Sequence, residues 1–151
     1  MEDYLDEFVD SLGNGDDPHD CWQENGFWPS RVDASLEDIC VWITAISFNY
    51  LENGGLEAYL TFVSGRALPE LLIGFKILEC EELYKVCEIL LRQFGAKYPR
   101  KDSVRGKVVV NNLHQIEALE TKFLEAMEVD HYSEKVETYA QHYFEQRNRS
   151  K

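Results

Sequence analysis

Long apolar runs are missing from this chain of 151 residues. None approaches the roughly 20 residues that a membrane-spanning helix needs. The opening Met-Glu-Asp-Tyr-Leu-Asp-Glu has neither the basic nor the apolar region of a secretory signal. Both absences predict a cytoplasmic protein without a membrane partner. Cysteine is sparse: Cys21, Cys40, Cys80 and Cys87, with no two at the two-residue spacing of redox or zinc pairs. Three of the four sit in apolar helical patterns, where a free thiol packs as a small hydrophobe. A glycine-rich phosphate loop, a nucleophile elbow and a His-Glu-x-x-His motif are all lacking. The histidines are scattered at 19, 114, 131 and 142, and even His131 and His142 stand three helical turns apart. No catalytic residue, metal or cofactor is therefore assigned, and the chain is expected not to be an enzyme. A hydrolase built on dispersed carboxylates such as Glu52 and Glu57 ranks last among the alternatives, and loss of activity on mutating Glu52 or His131 would be its sign.

Basic charge is also scarce, and what there is lies far from the N-terminus. The formal net charge is −13. Residues 1–40 hold twelve acids against Arg31 alone, a net of −11, while the other 111 residues hold sixteen acids and fourteen bases. Such a surface repels nucleic acid and anionic membrane and attracts a basic protein partner, with a rate advantage that salt screens. Within the acidic part, Leu5, Phe8, Val9 and Leu12 recur at helical spacing, and Gly13 is placed to end the helix. Asp3, Asp6, Glu7 and Asp10 then form a carboxylate stripe with about 5–6 Å between neighbours. A solvated outer face near a helix N-terminus produces the same stripe without any function.

Residues 13–34 contain Asp16, Asp17 and two prolines and are expected to be irregular. Trp22 and Trp28 would either pin this segment to the core or anchor a partner. From Ser35 onward the pattern is helical. A helix apolar on nearly all sides runs to about Leu51, followed by a short helix near 56–64 and one from Leu68 with Pro69 in its first turn. A further helix ends near Phe94, with Gly95 as its cap. Residues 96–112 carry Lys97, Arg100, Lys101, Arg105 and Lys107 and suit a solvated loop, or a patch pairing with the acidic arm. Val108–Val110 has strand propensity but no partner strand. Helices over 113–129 and 134–146 complete the chain, with Ser133 as cap of the second and residues 147–151 as a frayed tail. The expectation is an all-α, single-domain bundle of six or seven helices: an acidic arm at 1–34, a helical core at 35–146 and the tail.

Between two of these apolar segments lies Asn53-Gly54-Gly55. Paired glycines are unfavourable inside a helix, at about 1 kcal/mol each relative to alanine, so they mark a hinge-like turn. Together with Tyr59 and Gly65, this stretch resembles the signature of a small bacterial family of acidic, all-helical proteins of largely unknown function that includes a DNA mimic. The chain departs from that signature at Tyr50, Leu56, Ala58 and Phe62. The resemblance implies a helical fold over about 36–145, a homodimer, and occupation of the DNA-binding face of a basic regulator. Carboxylates at helical spacing come near the separation of neighbouring phosphates, and duplex DNA carries one charge per about 1.7 Å of axis. The competing expectation is an immunity or adaptor protein that binds a toxin or enzyme by shape as well as charge.

Overall fold

Ser35 starts the first long helix: its hydroxyl accepts the Asp38 N–H at 3.1 Å, and α1 runs Leu36–Thr61. Ten consecutive residues, Ile39 through Phe48, are buried. A stretch buried on every side has no solvent face, so this part of α1 is the axis of the fold. The computed structural model describes residues 35–149 and, before them, the backbone of two strands, β1 (Trp22–Gln23) and β2 (Gly26–Phe27). The strands pair antiparallel, Trp22 opposite Phe27, where irregular chain was expected. The helix expected before Gly13 lies outside the described residues.

Five helices pack around α1: α2 (Leu68–Ile77), α3 (Glu81–Arg92), α4 (Asp102–Asn111), α5 (Leu113–Val129) and α6 (Tyr132–Arg149). A 3-10 turn over Val63–Ala67 links α1 to α2, with Pro69 at the start of α2. α2 ends in a Schellman-type turn, in which Glu79 adopts a φ of 57° and the Cys80 N–H reaches Phe75 O at 2.9 Å. α1 packs along α2 and against α4 and α5, α3 packs against α5, and β1 lies beside the 3-10 turn. α6 is tied back to α1 by Phe48 and Tyr132, whose rings stack at 3.5 Å, and by the Tyr132 hydroxyl donating to Thr44 O at 2.9 Å. The result is an all-α bundle of six described helices, or seven if α1 is divided at its kink. No helix among the described residues is long and apolar enough to cross a membrane.

Three local expectations are corrected. The segment 102–111 is helix α4, not loop or strand: burial of Arg105 and Val109 outweighs the strand preference of three valines. Ser133 is not a cap, because α6 begins at Tyr132. The capping carboxylate nearby is Asp130, which serves α3 by accepting the N–H groups of Glu82 and Leu83 at 3.3 and 2.7 Å. Finally, residues 147–149 are helical rather than frayed, with the Arg147 guanidinium 4.4 Å from the Tyr143 ring centre.

Candidate functional site

The Asn53-Gly54-Gly55 turn proves to be a kink at one residue. Helical backbone continues through Asn53 and Gly54, and only Gly55 departs, at φ 78° and ψ 176°. That region of backbone space is essentially reserved for glycine. The break frees the N–H of Leu56, and Glu120 of α5 accepts it through Oε1 at 2.7 Å. A Cβ on Gly55 would run into that same oxygen. Backbone conformation and space thus both select glycine.

A groove of about 400 Å³ opens beside the kink, between Ile46, Asn49, Tyr50, Asn53 and Gly54 on one wall and Ala58, Tyr59, Phe62 and Ser64 on the other. No charged side chain of the described residues lines it. Phe62 stands at its mouth, 64% exposed. Its floor is rigid: the Tyr59 and Ser47 hydroxyls lie 3.0 Å apart in a hydrogen bond, and Ser64 Oγ donates to Tyr59 O at 2.7 Å. Burial holds the Tyr59 phenol protonated well above its ordinary range. The groove is thus lined by apolar and uncharged polar side chains over a hydrogen-bonded floor.

Behind the groove lies a cluster that sequence reasoning missed. Arg105 is completely buried. It donates to Leu60 O at 2.5 Å, Phe62 O at 2.7 Å, Arg100 O at 2.9 Å and Asp102 Oδ1 at 2.9 Å. Leu60 lies in the last turn of α1 and Phe62 is its C-cap, where carbonyls lack an α-helical partner and Phe62 O has only the Gly65 N–H at 3.0 Å besides, so the guanidinium caps the helix from 45 and 43 residues away. Arg66 grips Asp102 with two bonds, at 2.8 and 2.5 Å. Arg100 joins Glu70 at 2.6 Å and Arg66 O at 2.9 Å, and the Tyr98 hydroxyl donates to Gly65 O at 2.6 Å. A Cβ on Gly65 would meet Leu60 O and lie 2.7 Å from Arg105 Nε. The signals in sequence were Asp102 and Arg105 at helical spacing and a glycine where an arginine must pass. The basic segment is therefore neither a solvated loop nor a patch paired only with the acidic arm. Arg100 and Arg105 serve the core.

Of the residues proposed from sequence as partner-binding, Asp3, Asp6, Glu7, Asp10, Asp16, Asp17 and Trp28 lie outside the described residues. Trp22 is described only as backbone of β1. Asn53 and Gly54 line the groove, with Gly55 forming the kink. Glu52 and Glu57, the dispersed carboxylates, lie in separate recesses: Glu57 shares one with Glu117 and Glu120, and Glu52 shares the other with His131, Ser133 and Glu134. Cys40, Cys80 and Cys87 are buried free thiols. Burial pushes Cys40 and Cys80 up to about 11, and Cys87 higher still, so all three are inert as nucleophiles near neutral pH. Among the described residues no group of three or more His, Cys, Asp or Glu side chains is arranged to hold a metal ion. No protein-family model, curated protein or solved structure matches the chain.

Proposed function

We propose that this chain is a non-catalytic binding domain that engages a basic protein through its acidic N-terminal region. One observation carries the reading: residues 1–40 hold a net charge of −11, while the cations that could neutralise them internally include Arg100 and Arg105, which are held by Glu70, Asp102 and backbone carbonyls. A net negative field of that size steers a basic partner and is weakened by salt. In its finer form, Asp3, Asp6, Glu7 and Asp10 stand in for backbone phosphates and occupy the DNA-binding face of a regulator. A homodimer then supplies a second array. The resemblance of Asn53-Gly54-Gly55, Tyr59 and Gly65 to the acidic helical family favours this form, and the cytoplasm is the compartment it implies.

The test is capture of partners from a lysate of the source organism at low and high salt, with wild type and a variant carrying amides at positions 3, 6, 7 and 10. A DNA-binding protein that is retained by wild type, displaced by duplex DNA and lost by the variant supports mimicry. Binding unchanged in the variant removes the stripe from the interface.

The exposed Phe62 at an uncharged groove favours a second reading, an immunity or adaptor protein whose contact depends on shape. In that case Phe62→Ala, Trp22→Ala or Trp28→Ala costs more affinity than raised salt does.

A further inference from the structure

The chain enters the described fold next to the groove. β1 (Trp22–Gln23) lies against the 3-10 turn Val63–Ala67, and that turn, with its cap Phe62, contributes Phe62 and Ser64 to the groove wall. Residues 1–21 therefore set out from the groove's own edge. The nine residues 13–21 between the helix expected from sequence and β1 span up to about 30 Å when extended, and the eight residues 5–12 make about 12 Å of helix. The groove is within reach, and so short a tether supplies an effective concentration in the millimolar range.

Charge decides which face would meet it. Ile46, Ala58, Tyr59 and Phe62 bound the groove together with uncharged asparagine and serine, so an ionised group placed inside would lose water and gain no counter-ion. Leu5, Phe8, Val9 and Leu12 carry no charge and share one helical face, while Asp3, Asp6, Glu7 and Asp10 fall on the opposite side at 100° per residue. Residues 28–34, also outside the described residues, contain Arg31 and Asp33 and have no such stripe.

We infer that the apolar face of residues 5–12 seats in this groove, against Phe62, and turns Asp3, Asp6, Glu7 and Asp10 outward. The groove is then the platform that fixes the carboxylate stripe on the helical core, and a stripe already held there has less ordering entropy to lose when it binds. The docking goes beyond the basic-partner reading and does not depend on it. Only the use of the displayed stripe does.

The test uses the full chain labelled with nitrogen-15, carrying Cys21→Ser and a nitroxide attached at Glu7→Cys. The expected result is line broadening at the amides of Asn49, Asn53, Ala58 and Phe62, lost in Phe62→Asp and in Phe8→Asp, whose remaining spectra show the fold intact. Amide exchange over residues 5–12 should be about tenfold or more faster in Phe62→Asp than in wild type. An unbroadened groove, or broadening and exchange unchanged in both variants, would overturn the inference. Broadening seen only between a nitroxide-bearing chain and a separate nitrogen-15 chain makes the occupant a second copy and overturns it as well, as do groove shifts that arise only when a partner is added. If the face docks and no basic protein is captured through positions 3, 6, 7 and 10, the docking stands and the partner reading fails. If such a protein is captured while the groove stays silent, the docking fails and the partner reading stands.

Discussion

Glu120 and Leu56 are 64 residues apart in sequence and 2.7 Å apart in space, the carboxylate of one accepting the backbone N–H of the other. The kink in α1 is therefore held from outside, by α5.

Gly55→Ala should destabilise the fold by about 2–3 kcal/mol, since alanine neither adopts this backbone conformation readily nor leaves room for Glu120. Glu120→Ala should cost about 1–2 kcal/mol through the lost charge-assisted bond. The double variant should cost less than the sum, because both substitutions break one contact. Urea unfolding of the four proteins measures the coupling; strict additivity would show that the two residues act independently.

Arg105→Met should cost about 3 kcal/mol or more, leaving Leu60 O without its guanidinium donor inside the protein and Phe62 O with only the Gly65 N–H. Arg105→Lys keeps the charge but loses the fork, so it should recover only part of that stability. Denaturant midpoints decide; a lysine variant as stable as wild type would mean that charge alone holds the clamp.

Acid should weaken the same clamp. The Arg66 hydrogen bond, with smaller help from Arg105, holds the Asp102 carboxyl below its ordinary 3.8, against an opposing push from partial burial. A lowered folded-state value means the unfolded chain takes up its proton first as pH falls. The stability from Asp102 is thus present above about pH 4 and is lost below it. Thermal unfolding from pH 6 to pH 2.5 should show a shallower acid limb for Asp102→Asn than for wild type.

Cys40, Cys80 and Cys87 should resist iodoacetamide at pH 8 and react only through unfolding, followed residue by residue by mass spectrometry. Their folded-state values are raised by burial, so their contribution to stability is intact below the ordinary thiol value of 9.0 and declines as pH rises past it. Rapid native-state labelling of Cys80 would contradict the packing at the start of α3.

Most helices were legible because their signals are local. Pro69 marks the start of α2, Gly95 follows α3, and the apolar period over 113–129 gives α5. The all-round apolar pattern of 36–48 located the central helix for the same reason. What escaped was long-range. Val108–Val110 prefers strand locally, and only docking of Arg105 and Val109 on α1 makes the segment helical. Asp130 looked like part of a connection, yet its carboxylate caps a helix 47 residues earlier. Arg105 read as one more surface base because nothing beside it in sequence reveals the carbonyls of Leu60 and Phe62. The groove was half legible: the Asn-Gly-Gly turn was visible, but the wall opposite it forms only when α1 bends.

The arginine clamp also orders events in time. Helix α1 can close its own hydrogen bonds early, but the partners for its last carbonyls arrive from positions 45 and 43 residues further along. Closing so long a loop comes after local helix formation, so this contact belongs to the late side of the folding barrier. Loosening Arg105 should then leave the folding rate nearly unchanged and shorten the lifetime of the folded state. Stopped-flow kinetics would read Arg105 as the latch that keeps the bundle closed rather than the nucleus that starts it.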